Sequence, residues 1–258
     1  MTSTTPKPID WQRWLQRWDA QQTGYVPDRE QRFTVMFDAL EALLPDEFVA
    51  LDLACGPGSI SQRLVARFPG ARCVAVDFDP VMLALGEGSL GTRDGRLRWV
   101  DADLATPAWL QSLAEPQVDA VLSSTALHWL NAAQLVRVYR ELGTIVRPGG
   151  VFLNGDNMSF GPDLPTFQRL THGARDLLWS DESFAARGIE TSEAWWGALK
   201  REPSLASLLA ERERRYAAKE RPLSPIFDLH VAALRDAGFR EIGTIWQTGT
   251  NRILMAVR

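Results

Sequence analysis

Cysteine is scarce in this 258-residue chain: Cys55 and Cys73 are the two present, and neither has a second cysteine or a histidine at metal-ligand spacing. A disulfide framework and a Cys/His zinc site are thereby excluded, and both residues read as buried thiols. Long apolar runs are missing too. No window holds about 18 consecutive apolar residues, and the opening MTSTTPKPIDWQRW has no apolar core of a secretion signal. The expectation is a soluble cytoplasmic protein without a membrane span. Excess charge of one sign is also lacking: 28 Lys and Arg stand against 32 Asp and Glu, a net charge of −4. Such a balance gives no global attraction to nucleic acid or anionic lipid. Histidine is limited to His128, His172 and His230, which keeps the choice of imidazole bases short.

What is present is apolar material, 45% of the residues, enough for one sizeable core. Residues 9–44 read as helices, with Trp11, Trp14, Leu15 and Trp18 on one stripe and Phe33, Met36, Phe37, Leu40 and Leu44 on another. The tryptophan stripe suits a core-facing surface or a lid over a ligand. Short apolar runs at 48–54, 71–78, 97–104, 118–125 and 151–156 read as strands, separated by helical segments such as 59–68 and 132–146. One of those helices opens at Asp79-Pro80, where aspartate caps and proline fits the first turn. Residues 157–225 lose strand alternation and carry aromatics at helical spacing, and 227–239, 241–250 and 252–258 then read as a helix and two strands. The fold class is therefore α/β: a doubly wound, mostly parallel seven-stranded sheet with helices on both faces and an antiparallel last strand. Residues 1–258 make one domain, with an N-terminal helical cap (1–46), a ligand-binding core (47–156), a helical insertion after the fifth strand (157–225) and a closing helix with two strands (226–258).

Open parallel sheets bind ligands beyond the carboxyl ends of their strands. After the first strand, Ala54, Gly56 and Gly58 form a small-residue turn that lets a ligand approach the backbone. Asp77 closes the second strand 25 residues after Asp52, placed to accept both hydroxyl protons of a ribose. Asp52 itself repels a pyrophosphate but suits a ligand bearing a sulfonium and an ammonium group. The third glycine of a dinucleotide loop is replaced by Ile60 and Ser61. At the third strand end, Asp103 is preferred over Asp101 for an adenine amine.

The segments LDLACGPG, VAVDFDPVML, WVDADL, SSTALHWL and RPGGVFL, in that order, resemble the successive motifs of class I S-adenosylmethionine-dependent methyltransferases over about residues 48–155. Within that family the chain is similar to the trans-aconitate methyltransferase-like and ubiquinone/menaquinone-biosynthesis-like small-molecule enzymes. Ala54 departs from the more usual glycine. The resemblance implies S-adenosylmethionine as cofactor and S-adenosylhomocysteine as product. It further implies that Asp52, Ala54, Gly56 and Gly58 surround the methionyl part, Asp77 and Phe78 the ribose and adenine edge, Asp103 and Leu104 the adenine, and Ser123 to Thr125 the reactive end. Tyr25 and Arg29 of the N-terminal helices are the residues expected to close over the cofactor, Arg29 on its carboxylate.

The expected reaction is in-line methyl transfer to a small organic acceptor, an oxygen of a hydroxyl or carboxyl group before nitrogen or carbon. Candidate bases are His128, His172 and Asp156, while His230 reads as structural. The aromatic insertion from Phe160 to Trp196 is expected to choose the acceptor. The run 211–215 reads as a solvated helix face, with Arg214 or Arg215 available to an acidic acceptor. Competing readings are a catalytically silent cofactor-binding regulator, a nucleic-acid methyltransferase and an NAD-dependent oxidoreductase. The second lacks its usual Asp/Asn-Pro-Pro-aromatic motif here, since SSTALHW stands in that place. Monomer and homodimer both remain open.

Overall fold

The computed structural model describes residues 9–26, 28–178, 181–219 and 222–258. Helix α1 (Trp11–Tyr25) starts where the Asp10 side chain accepts the Arg13 N–H at 3.0 Å, and α2 (Arg29–Leu43) follows. Strand and helix then alternate: β1 (Val49–Leu53), α3 (Ser59–Arg67), β2 (Arg72–Asp77), α4 (Pro80–Leu90), β3 (Leu97–Asp101), β4 (Val118–Ser124), α5 (Ala132–Ile145) and β5 (Val146–Asn157). The insertion contributes α6 (Pro165–Leu178), α7 (Asp181–Ala186), α8 (Ser192–Leu199) and α9 (Ala206–Tyr216). Helix α10 (Phe227–Asp236), β6 (Glu241–Thr248) and β7 (Asn251–Val257) close the chain. None of the described helices is long and apolar enough to cross a membrane.

The seven strands lie in the order β3-β2-β1-β4-β5-β7-β6. The first five pair in parallel, and β7 runs antiparallel to both β5 and β6. Strand order reverses between β1 and β4, which opens a crevice at their carboxyl ends. Register places Asp77 beside Asp101 there. One boundary differs from the sequence reading: β5 begins at Val146, five residues before the expected start at 151. Val118 pairs with Val146 but Ala120 with Val151, so residues 147–150 bulge out between two stretches of one strand. Pro148 and the positive φ of Gly149, 77°, account for the excursion.

Each face of the sheet is covered by its own apolar cluster. On one, Leu135, Val138, Tyr139 and Leu142 of α5 meet Ala233 and Leu234 of α10. The two helices approach closely because α5 has Gly143 where a Cβ would run into the Ala237 carbonyl. On the other, Met36 and Leu40 of α2, Ile60 and Leu64 of α3 and Leu83 and Leu85 of α4 pack with Trp195 and Leu209 of the insertion. The tryptophan stripe of α1 belongs to this cluster: Trp14 and Trp18 lie 5.8 and 5.2 Å from Trp195, edge to face. Its role is to join the N-terminal helices to the insertion.

Candidate functional site

Three residues of the turn after β1 are left-handed: Ala54 (φ 55°), Gly56 (φ 55°) and Gly58 (φ 82°). For Ala54 that conformation costs roughly 1–2 kcal/mol, strain of the kind that gathers at ligand sites. A Cβ at Gly56 would meet no atom within 4 Å, so glycine there leaves space open above the backbone. Asp77 braces the turn. Its Oδ2 accepts the Gly56 N–H at 2.7 Å and its Oδ1 the Asp79 N–H at 2.8 Å, in a site that leaves it 8% exposed. Burial pushes its carboxyl up to about 6 against the opposing pull of these amides. Asp52 Oδ2 accepts the backbone N–H and the hydroxyl of Ser61 at 3.0 and 2.6 Å, and burial pushes its carboxyl up to about 7. Two adjacent carboxyls poised this way gain their charge most readily when a cation or a hydroxyl pair arrives.

The other expected cofactor residues divide. Arg29 is buried and donates to Asp19 Oδ1 at 2.9 Å, and the same oxygen accepts the Ser59 hydroxyl at the start of α3. This sets Arg29 beside the glycine turn. Tyr25 faces elsewhere: its hydroxyl accepts the Ser192 N–H at 3.0 Å and its ring lies 4.6 Å from Phe184. Ser123, expected at the reactive end, is turned inward and donates to the Leu53 carbonyl at 2.9 Å. Side chains alternate along a strand, so Ser124 turns the other way, and Thr125, just past the end of β4, breaks the alternation and sets its hydroxyl 3.4 Å from that of Ser124. Thr125 holds a positive φ of 57°, strained for a β-branched residue. Asp103 accepts the Ala105 N–H at 2.9 Å and Lys219 at 2.8 and 2.9 Å, while Leu104 is buried in the core and Phe78 borders the crevice.

At the ends of β4 and β5 the structure brings together two of the candidate bases. His128, on the short turn Leu127–Trp129, sets Nδ1 at 2.9 and 3.1 Å from the two carboxylate oxygens of Asp156. Asp156 also accepts the Asn157 N–H at 2.8 Å. Burial alone would raise this carboxyl, but His128 first and then Arg32 outweigh it and hold it below the ordinary value. A carboxylate fixed on Nδ1 selects the tautomer that leaves Nε2 as acceptor. His172 lies on α6, and its side chain is outside the described residues. His230 is buried against Tyr139, ring nitrogen to hydroxyl at 2.6 Å, and burial pushes it down to about 4.

Two arginines escaped the sequence reading. Arg32 is 0% exposed and donates through Nη1 to Ser124 (3.1 Å), Thr125 (2.8 Å) and the Gly155 carbonyl (2.6 Å), and through Nη2 to Asn251, while its Nε has no partner among the described residues. The signal was available: Arg29 and Arg32 fall on the buried stripe of α2 with Phe33, Met36 and Leu40, where a solvated arginine has no place. Arg252 sits opposite Asp156 in the β5–β7 register and is 3% exposed. Its guanidinium lies 4.7 and 4.3 Å from the ring centres of Phe160 and Phe227, and Nε and Nη2 have no hydrogen-bond partner among the described residues.

Comparison with known proteins agrees with this architecture. Residues 50–150 match the family described as a methyltransferase domain. The trans-aconitate 2-methyltransferase of Azoarcus sp. (strain BH72) is 36% identical over 184 residues, 69% of this chain and 65% of that protein. The demethylmenaquinone methyltransferase of Thermus thermophilus is 36% identical over 101 residues, 39% of this chain and 43% of that protein. An O-methyltransferase family protein from Burkholderia thailandensis shares the fold, with a TM-score of 0.56 and 16% identity over 98% of this chain and 65% of that one. The chain thus spans less than two thirds of the length of each of these relatives. Matched in sequence over residues 50–150, from β1 into the start of β5, and similar to the Azoarcus protein over 69% of its own length, the chain belongs to the class I, Rossmann-like family of S-adenosylmethionine-dependent methyltransferases.

Proposed function

We propose that this protein transfers the methyl group of S-adenosylmethionine to an oxygen of a small organic acid, and that the whole chain acts as one domain in the cytoplasm, where its two unpaired thiols persist. The observation that carries the reading is the adjacency of two sets along the carboxyl ends of the strands: the left-handed turn after β1, braced by Asp77, and the His128–Asp156 pair at the next two strands, β4 and β5. The turn fits the cofactor. It is open above Gly56, and its two buried carboxyls, Asp52 and Asp77, lack any cation within ion-pair distance among the described residues. Asp77 would hold the ribose hydroxyls, Asp52 and Arg29 the methionyl end, and Phe78 and Asp103 the adenine. When bound, the cofactor supplies an electrophilic methyl group that needs no further activation.

The chain's own residues then have three tasks. Among the described residues, some buried guanidinium nitrogens of Arg32 and Arg252 have no partner, a costly arrangement that an acceptor carboxylate would satisfy. Ser124 and Thr125, fixed by Arg32, orient the acceptor oxygen. His128 Nε2 takes the proton when that oxygen belongs to a hydroxyl, and Asp156 steadies the imidazolium that results. A carboxylate acceptor has no proton to give, and the pair then serves only to orient it. The name of the Azoarcus relative, a trans-aconitate methyltransferase, is in keeping with an acid substrate.

The test has two stages. S-adenosylhomocysteine must raise the melting temperature of the purified chain. A panel of small carboxylic acids and their amides is then scored for S-adenosylhomocysteine formation. Absence of stabilisation by either cofactor form overturns the assignment, and turnover of amides as fast as acids overturns the acceptor class.

A further inference from the structure

Helix α9 reaches the end of the site opposite to the one expected for the insertion. Arg212, Arg215, Tyr216 and Lys219 fall at helical positions 0, 3, 4 and 7, one face continued just past the last turn. Each meets a residue at the end of β2 or β3. Arg212 Nε donates to Asp79 Oδ2 at 2.7 Å, with its guanidinium 3.9 Å from the Trp196 ring centre and 4.3 Å from that of Tyr216. Arg215 forks onto both Asp101 oxygens at 2.6 and 2.8 Å and donates to the Phe78 carbonyl at 2.7 Å. Tyr216 donates its hydroxyl to Asp79 at 3.2 Å and sets its ring 4.9 Å from Phe78. Lys219 bridges Asp103, at 2.8 and 2.9 Å, and the face of Phe78, at 3.9 Å. Arg214, on the far side of the helix, points to solvent.

The distribution of charge is selective. Asp77, Asp79, Asp101 and Asp103 crowd two neighbouring strand ends, and three cations from α9 and its extension meet the last three. Among the described residues no cation meets Asp77, although it is the most deeply placed of the four apart from the helix-capping Asp79. The rim is thereby neutralised, the Phe78 ring is covered, and the carboxyl of the four that meets no described cation is Asp77, which braces the open turn after β1. A ligand portion that is uncharged, aromatic and rich in hydroxyls suits this end, and adenosine is such a portion.

We propose that α9 and Lys219 form the outer wall of the adenosine subsite, with Arg215 and Lys219 as positioning residues acting through Asp101, Phe78 and Asp103. The proposal rests on the reading that these strand ends hold S-adenosylmethionine, and it extends that reading from the core to the insertion. The insertion then governs how tightly the cofactor is held, in addition to any contact with the acceptor.

Calorimetric titration of the full chain with S-adenosylhomocysteine and with 5′-methylthioadenosine, which lacks the amino-acid half, tests this directly. The Arg215→Ala/Lys219→Ala double variant is expected to weaken both ligands by the same factor, about tenfold, as the loss of two partly exposed charge pairs implies. Lys200→Ala, which removes one positive charge at an exposed position on the insertion and is compared with Lys219→Ala alone, is expected to leave both affinities unaltered. Raising the salt concentration should narrow the gap between wild type and double variant. Should the double variant unfold, Lys219→Gln, outside the helix proper, is read alone with a loss of about threefold expected. Unchanged or tighter binding, or a loss confined to S-adenosylhomocysteine, overturns the proposal. A wild-type chain that binds neither ligand overturns the cofactor reading beneath it.

Discussion

Asp77 and Asp103 end neighbouring strands with the same side chain, yet their partners differ, and so should their substitutions. Asp77 accepts two backbone N–H groups and meets no described cation, whereas Asp103 shares its charge with Lys219. Asp77→Ala is expected to remove most of the rise in melting temperature given by S-adenosylhomocysteine, with affinity falling by more than about tenfold. Unaltered affinity in a folded Asp77→Ala protein would refute its role. His128 and Asp156 act as a unit, so Asp156→Asn should lower the turnover rate by about a hundredfold or more through the wrong imidazole tautomer while leaving S-adenosylhomocysteine affinity intact. Loss of affinity in step with rate would instead mark a structural role. Both residues were legible one at a time, each at a strand end. Their partnership was not, because 28 residues separate them and only the parallel pairing of β4 with β5 joins them. The burial of Arg32 was legible in its place on the apolar stripe of α2, but its partners were not, because only the tertiary fold brings that stripe against Ser124 and Gly155.

Helix α4 shows how one side chain can serve both an element and the site. Asp79 Oδ1 accepts the N–H groups of Val81 and Met82 at 3.0 and 3.3 Å, while Oδ2 takes Arg212 and Tyr216 of α9. Asp79→Ala should cost about 1–2 kcal/mol in urea denaturation, the value of a lost N-cap, and should also weaken S-adenosylhomocysteine. Asn131→Ala removes the capping box of α5 and should cost about 1 kcal/mol with no effect on the ligand. Equal ligand affinities in the two variants would contradict the coupling of α4 to α9. The caps were readable, since Asp79-Pro80 and Asn131 with Gln134 obey local rules. So were the strands, through their apolar runs. The docking of α9 was not, because the run 211–215 has the composition of a solvated face, and only tertiary placement reveals that Arg215 turns to Asp101 while Arg214 does not.

For the molecule as a whole, the buried carboxyls set an uncommon dependence of stability on pH. Burial raises Asp52 from 3.8 to about 7 and Asp77 from 3.8 to about 6, while burial lowers His230 from 6.5 to about 4. A carboxyl that holds its proton more tightly when folded contributes stability at low pH, and this is lost as pH rises from the unfolded value through the folded one. The imidazole works in the opposite sense, since its contribution is lost as pH falls from 6.5 towards 4. Two carboxyls against one imidazole leave the unliganded chain losing stability as pH climbs through this window. Asp156, held below the ordinary carboxylate range, acts at lower pH still. Asp52→Asn isolates the largest of these contributions: the amide keeps an acceptor for Ser61 but cannot ionise. Its melting temperature relative to wild type should therefore climb as pH rises from 3.8 through about 7 and level off above that, in the absence of ligand. With S-adenosylmethionine the order should narrow or invert at pH 8, because only the wild type can offer the sulfonium and ammonium a carboxylate. A difference between the two proteins that stays constant with pH would show that Asp52 is already ionised throughout, and that the ligand finds its counter-charge elsewhere.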